Sequence, residues 1–141
     1  MSQDVTHAVD VGSGAGFPGL VLAIATGTYF TLVESDSRKA AFLNEAIRVT
    51  SAPAEVFNGR FELKRSLAPL ITARAFAPLR HILTATPAAQ RDIATYLLLK
   101  GGSARAEIDE ARQDFAFDLD LIPSLTDTRG SILKLRNVRP I

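Results

Sequence analysis

The chain of 141 residues contains no cysteine, which removes several kinds of chemistry at once. Disulfides, thiolate metal sites and thiol nucleophiles are all excluded. The two histidines, His7 and His81, stand far apart in the sequence and lack the spacing of metal ligands. We therefore expect both to be surface or packing residues, and we expect no metal site.

The net charge is small, and the sequence has no long apolar run. The net charge is +1, which disfavours a globally basic protein that wraps nucleic acid but leaves room for a local basic patch. No apolar run approaches the ~20 residues of a membrane span, and no basic-then-apolar leader begins the chain. We expect a single domain over residues 1–141 that is cytoplasmic, monomeric and free of the membrane.

The most informative segment is the glycine-rich run Asp10–Gly19, DVGSGAGFPG. It stands between apolar Ala8-Val9 and an apolar stretch that begins at Leu20, which is the pattern of strand, turn and helix. Glycines at alternate positions let the backbone bend sharply and approach a ligand closely. Pro18 suits the first helical turn. We expect the turn to direct free N–H groups toward whatever binds beside the helix.

Two acidic residues indicate the charge of that ligand. The spacing Gly-x-Gly-x-Gly differs from the Gly-x-Gly-x-x-Gly of the dinucleotide fingerprint. Asp10 would oppose an anionic pyrophosphate, whereas it would favour the sulfonium and ammonium of S-adenosylmethionine. Glu34 ends a second predicted strand 22 residues after Gly12, where such folds hold ribose hydroxyls. An adenosyl donor in contact with Asp10, Gly12, Gly14 and Glu34 is favoured over a dinucleotide or a ligand-free packing turn.

Apolar runs alternate with helical patterns along the chain, which predicts βαβ units and a largely parallel sheet. The predicted strands cover 7–11, a segment ending at 34, 55–57, 70–73, 95–100, 115–121 and 131–138. Helices are predicted after Pro18, over 37–50, after Pro78 and from Ala104. The helix after Pro18 is apolar on nearly all sides and is expected to be buried. In helix 37–50, Phe42 and Val49 are assigned to the apolar face.

The last two predicted strands have no helix between them and therefore predict an antiparallel pair. A mostly parallel α/β sheet with a C-terminal antiparallel hairpin resembles the class I methyltransferase (Rossmann-like) architecture. The exit of the fourth strand reads Ala73-Arg74-Ala75-Phe76, at the edge where open α/β sheets bind ligands. Arg74 suits a phosphate or a purine edge, and Phe76 suits a base stack or core packing.

Read together, these segments resemble a known family, the bacterial 16S ribosomal RNA guanine-N7 methyltransferases, also called glucose-inhibited division protein B. The likeness covers nearly the whole chain. The segments that carry it are Gly16-Phe17-Pro18-Gly19, Ala73-Arg74-Ala75-Phe76 and Leu99-Lys100-Gly101.

The resemblance implies S-adenosylmethionine as cofactor and a guanine N7 of 16S rRNA in the small ribosomal subunit as methyl acceptor. It implies that Gly12 and Phe17 contact the donor, that Phe61-Glu62 lies along the adenine, and that Glu34 holds the ribose. Arg74 is implied on the donor or substrate side and is the candidate catalytic residue.

The chain also departs from this family. Members normally carry an N-terminal helical segment before the glycine motif, and this chain lacks it. Pro69 stands where an aspartate is usual. The alternative function is therefore a catalytically inactive module, derived from the family, that binds an adenosyl ligand or RNA.

Overall fold

The computed structural model describes residues 7–14, 16–61, 68–74, 78–123 and 130–141. Seven strands in these ranges form one sheet in the order β3-β2-β1-β4-β5-β7-β6. The strands are β1 (His7–Val11), β2 (Tyr29–Val33), β3 (Ala54–Phe57), β4 (Leu70–Arg74), β5 (Thr95–Lys100), β6 (Phe115–Pro123) and β7 (Ser131–Pro140).

Strands β1 to β5 pair in parallel, and β7 runs antiparallel to both β5 and β6. The expected mostly parallel sheet with a C-terminal antiparallel pair is confirmed. Strand β4 begins at Leu70, directly after Pro69, which has no N–H group to donate to a ladder.

Five helices cover the sheet within the described residues: α1 (Gly19–Thr26), α2 (Ser37–Thr50), α3 (Leu79–Ala85), α4 (Ala88–Ile93) and α5 (Ala104–Ala111). Helix α2 has the predicted bounds because Asp36 caps it, accepting hydrogen bonds from the N–H groups of Arg38 and Lys39. None of the helices in these ranges is long and apolar enough to cross a membrane.

The core is divided between the two faces of the sheet. Side chains of α1 and α2, among them Leu20 and Leu43, pack with Phe30 on one face. Side chains of α3 and α5, among them Ile82 and Ile108, pack on the other face. Alternate strand residues point to opposite faces, so β1 contributes Ala8 to one cluster and Val9 and Val11 to the other.

The prediction that α1 is buried on all sides is wrong. Val21 is 48% exposed and Ile24 is 52% exposed, because only one stripe of the helix contacts the sheet. The apolar face assigned to α2 is also too wide, since Phe42 and Val49 are exposed and Leu43 is buried.

Candidate functional site

The carboxyl ends of β1, β2 and β3 surround a cavity of about 420 Å³. It lies beside the point where the strand order reverses, since β1 is flanked by β2 on one side and β4 on the other. Open α/β sheets bind ligands at such a point, and small-molecule sites occupy roughly 300–1,000 Å³. The lining residues come from the last residues of β1 and β2, from the segments that follow the three strands, and from α2 and α3: Val11, Gly12, Gly14, Val33, Glu34, Ser35, Lys39, Gly59, Arg60, Phe61 and His81.

The glycine loop after β1 is held by hydrogen bonds from its N–H groups to the end of β2, to Glu34 and to the loop itself. The N–H groups of Gly12 and Ser13 both donate to the Val33 carbonyl, at 2.9 and 3.1 Å. Gly16 N–H donates to the Ser13 carbonyl at 2.7 Å, and Gly14 N–H donates to a Glu34 carboxylate oxygen at 2.7 Å. The expectation that the turn presents free N–H groups is therefore wrong for these four residues. Positive φ angles, 68° at Gly12 and 50° at Gly14, make this path possible.

Glu34 lies directly after β2, where it is hydrogen-bonded to the glycine loop and also lines the cavity. One carboxylate oxygen accepts the hydrogen bond from Gly14 N–H, and the other accepts from Asp36 N–H at 2.9 Å. The Glu34 carbonyl accepts from Gly59 N–H and from the Asn58 side chain. Each carboxylate oxygen has further lone pairs, so the side chain can still accept hydrogen bonds from ligand hydroxyls.

Asp10 lies behind the loop and is absent from the residues that line the cavity. Its carboxylate is fully buried and accepts hydrogen bonds from the hydroxyls of Ser13 and Thr72. Burial raises the pKa of Asp10 to about 6, against the hydrogen bonds from Thr72, Ser13 and Gly19 that lower it. The carboxylate therefore fixes the shape of the loop, and any direct contribution to ligand binding stays a prediction.

Ionisation of Asp10 also has a consequence for stability. The pKa of about 6 lies above the ordinary 3.8 of an aspartate, so the protonated form favours the folded state. The contribution of this carboxyl to stability is fully present below pH 3.8 and is lost as the pH rises through about 6.

The eight residues named from the sequence fall into distinct groups. Gly12, Gly14, Glu34 and Phe61 line the cavity, and their contact with a ligand stays a prediction. Phe17 and Arg74 lie outside that lining and contact one another, with the guanidinium carbon 5.3 Å from the ring centroid. The seventh residue, Asp10, is buried behind the loop and does not line the cavity. The eighth, Glu62, lies outside the described residues, as does the other aromatic candidate, Phe76.

Three further residues with titratable side chains line the cavity but were not predicted as site residues from the sequence. Lys39 lies in the first turn of α2, Arg60 follows β3, and His81 lies in the first turn of α3. For Arg60 the available signal was its place just after the carboxyl end of β3, whereas Lys39 and His81 lie further along the chain, in the helices that follow β2 and β4. His81, which was expected to be a surface or packing residue, is exposed and borders the cavity.

The start of α3 is anchored by a mostly buried ion pair. A carboxylate oxygen of Glu107 accepts from Lys100 Nζ at 3.0 Å and from Leu79 N–H at 2.9 Å. The other oxygen accepts from the Ser103 hydroxyl at 2.6 Å. Burial raises the pKa of Glu107, but the hydrogen bonds from Ser103, Lys100 and Leu79 outweigh it and leave the pKa lowered.

Replacing Glu107 with glutamine is expected to lower the free energy of unfolding at pH 7 by about 2 kcal/mol. A lowered folded-state pKa gives stability that is present above the ordinary pKa of 4.5 and is lost as the pH falls below it. The difference between wild type and Glu107→Gln should therefore shrink in urea denaturation at pH 3.5. Glu110→Gln is the matched control, because Glu110 is on the same helix with an exposed side chain. An equal loss in both variants would contradict the anchoring role.

Comparison with known proteins agrees with this geometry. Residues 1–132 match the sequence model of the family described as rRNA small subunit methyltransferase G. The Ribosomal RNA small subunit methyltransferase G of Gluconobacter oxydans is 44% identical over 133 residues, which cover 94% of this chain and 69% of that protein. The protein of the same name from Paramagnetospirillum magneticum is 46% identical over 131 residues, which cover 92% of this chain and 64% of that protein.

The chain belongs to this family. The suspected resemblance is thereby confirmed at the level of the family. The chain spans about two thirds of the length of these two members of the methyltransferase G family.

Solved structures support the fold class independently of close sequence similarity. A mutant of MtNAS, crystallised in complex with S-adenosylmethionine, superposes with a TM-score of 0.71 at 16% identity. The match covers 94% of this chain and 55% of that one. The precorrin-6y C5,15-methyltransferase of Geobacter metallireducens superposes with a TM-score of 0.67 at 10% identity. At these identities the likeness establishes the fold alone, and it confirms the expected class I methyltransferase architecture.

Proposed function

We propose that this chain transfers a methyl group from S-adenosylmethionine to N7 of a guanine in small-subunit (16S) ribosomal RNA. Membership of the methyltransferase G family supports the substrate class. The observation that carries the choice of cofactor is the closed glycine loop. Because Gly12, Ser13, Gly14 and Gly16 use their N–H groups internally, the loop offers none of these four donors to a pyrophosphate.

The volume of the cavity and the Glu34 carboxylate at its wall support a ligand that carries a ribose. The Glu34 carboxylate stands at the cavity wall, and it would accept the two ribose hydroxyls. The mostly buried ring of Phe61 would lie along the adenine. Gly12 and Gly14, which lack a Cβ, would leave space for the methionine part. When bound, S-adenosylmethionine supplies an electrophilic methyl group on a sulfonium that departs as a neutral thioether.

The main task of the chain's own residues is to bind the methyl donor and the guanine and to orient them for transfer. A guanine N7 lone pair attacks without loss of a proton, so no general base is required at the acceptor atom. Holding the reactants in line can reduce the barrier by roughly 7–11 kcal/mol. Lys39 and Arg60, exposed at the cavity, would attract the RNA backbone. Since the substrate is ribosomal, the proposed place of action is the bacterial cytoplasm.

Transfer of labelled methyl groups tests this proposal. Small ribosomal subunits from a strain that lacks this methyl group are incubated with the chain and labelled S-adenosylmethionine, and the RNA is digested to nucleosides. We expect label in 7-methylguanosine. Donor binding without any label in RNA would contradict the enzyme and favour the alternative, an inactive module that binds an adenosyl ligand or RNA.

A pair of glycine variants locates the donor. Gly14→Ala and Gly27→Ala both place a Cβ at positive φ, 50° and 74°, and each should cost about 1–2 kcal/mol of stability. Among the described atoms within 4 Å, the new Cβ at Gly14 meets only the Gly12 carbonyl oxygen, at 3.8 Å, and Gly14 itself lines the cavity. We expect Gly14→Ala to weaken S-adenosylhomocysteine binding by at least about 10-fold, or 1.4 kcal/mol.

The affinity is measured by isothermal titration. Gly27→Ala should bind S-adenosylhomocysteine as tightly as wild type, because Gly27 lies at the end of α1 and does not line the cavity. Gly14→Val, with a larger side chain, should abolish binding. Normal binding by Gly14→Val would show that the donor site has been misplaced.

A further inference from the structure

The side chain of Asn58 lies where the pairing of β2 with β3 ends. The last pair in the register joins Val33 to Phe57. Beyond that pair neither chain continues as a strand, yet the segment after β2 carries Glu34 to the cavity wall. Backbone carbonyls require hydrogen-bond donors when a segment is packed against the protein. The segment after β2 therefore needs donors that a strand ladder does not supply.

The amide of Asn58 supplies these donors. Its Nδ2 donates to the Glu34 carbonyl at 2.9 Å and to the Ser35 carbonyl at 3.3 Å. Its Oδ1 accepts from the Ser37 hydroxyl at 3.3 Å, and Gly59 N–H adds a bond to the Glu34 carbonyl at 3.2 Å. An asparagine side chain has the donor and acceptor of a peptide group, so it takes the place of the missing strand partner.

The position of the Glu34 carboxylate depends on this segment. The side chain is only 7% exposed, and its two oxygens accept hydrogen bonds from the N–H groups of Gly14 and Asp36. A buried side chain that is bonded at both oxygens has little freedom of its own, so the carboxylate follows its main chain. Asn58 does not line the cavity, whereas Glu34 does. Asn58 can therefore act on a ligand through Glu34 without contacting the ligand.

We infer that Asn58 is a positioning residue for the methyl donor, because its amide holds the segment that aims the Glu34 carboxylate at the ribose. This inference rests on the proposed function, in which Glu34 accepts the ribose hydroxyls. Hydrogen bonds weaken steeply as they lose alignment, so a small shift of the segment weakens the contact with the ribose. The contacts with the adenine and the methionine part are left unchanged.

Ligands with and without ribose hydroxyls test this role. Isothermal titration compares S-adenosylhomocysteine with its analogue that lacks both ribose hydroxyls. Wild type is expected to prefer S-adenosylhomocysteine about 100-fold, the equivalent of two hydrogen bonds to a charged group. Asn58→Ala should weaken S-adenosylhomocysteine binding about fivefold, the size of one neutral hydrogen bond, and leave the affinity for the analogue unchanged. Asn58→Asp should lose at least as much, because it keeps the volume but brings a carboxylate oxygen toward two carbonyls.

Two control variants separate positioning from a general loss of stability. Asn44→Ala makes the same change at an exposed residue of α2 that does not line the cavity, and it should bind both ligands as wild type does. Thr31→Val removes a hydroxyl that donates to Glu55 at 3.0 Å within the same pair of strands. It should lower stability in urea denaturation and keep the full preference for the ribose.

The outcomes distinguish this role from the proposed function. Equal weakening of both ligands by Asn58→Ala, or a preference as large as in wild type, would overturn the positioning role while the proposed function stands. Wild type that binds both ligands equally, or neither, would count against the proposed donor site itself, and the positioning role would fail with it.

A double variant tests whether Asn58 acts through Glu34. Asn58→Ala combined with Glu34→Gln should bind S-adenosylhomocysteine as weakly as Glu34→Gln alone, because the contact that Asn58 aligns is already lost. A further fivefold loss in the double variant, the full effect of Asn58→Ala by itself, would show that the two residues act independently and would overturn the inference.

Discussion

Replacing Gly19 with alanine is expected to lower the free energy of unfolding by about 3 kcal/mol, the upper end of overpacking effects. A Cβ on Gly19 would stand 2.5 Å from both Cβ and Cγ of Asp10. Asp10 cannot move aside easily, because it is fully buried and hydrogen-bonded to Ser13 and Thr72. The clash therefore opens the junction of β1, the glycine loop and α1, and donor binding should be lost with it.

Urea denaturation and isothermal titration measure the two effects. Gly101→Ala is the control, since a Cβ at Gly101 meets no atom of the described residues within 4 Å, and it should stay within about 0.5 kcal/mol of wild type. Combining Gly19→Ala with Asp10→Ala should not restore stability, because the Asp10 Cβ itself is one of the atoms that clash. If the double variant were as stable as wild type, the Asp10 carboxylate would be the cause of the clash. The close approach of the two backbones would then not be the reason for glycine at position 19.

The second large effect is expected at Glu34. Glu34→Gln leaves a single acceptor oxygen, while Gly14 N–H and Asp36 N–H each require one in the folded loop. The loop is loosened and the charge available to ribose hydroxyls is lost. We expect S-adenosylhomocysteine binding to weaken about 100-fold, the equivalent of two charged hydrogen bonds at roughly 1.5 kcal/mol each.

Isothermal titration again gives the result, with Glu55→Gln as the control. Glu55 is a β3 residue that accepts a hydrogen bond from Thr31 and lies outside the cavity lining, so its replacement should leave donor affinity unchanged. Unchanged affinity in Glu34→Gln would show that the carboxylate serves the loop and not the ligand.

Strong local signals account for the elements that the sequence predicts well. Strands β1 and β5 have the predicted bounds, because short apolar runs are delimited by glycine or by polar turns. Helix α2 also has them, because Asp36 caps it. The six-residue helix α4 was not predicted, since it is too short to show an apolar repeat. Exposure of Val21 and Ile24 could not be read from hydrophobicity, because composition alone does not say which stripe meets the sheet.

The site was predictable only in part, for a similar reason. Gly12, Gly14 and Glu34 carry local patterns, and they line the cavity. His81 carries none, since only the order of the strands brings the start of α3 to the same cavity as the end of β3. The sequence also could not predict that the N–H groups of the loop are hydrogen-bonded within the protein. A glycine turn of the same length can leave its amides free or bond them. Here the acceptors for Gly12, Ser13 and Gly14 come from the next strand and its end, Val33 and Glu34.

Direct titration of the chain with S-adenosylmethionine, S-adenosylhomocysteine and NAD, in phosphate-free buffer, tests the central claim most directly. The closed loop and the Glu34 carboxylate predict saturable binding of both adenosyl ligands at one site and no heat from NAD. Binding of NAD with no response to either adenosyl ligand would contradict the account.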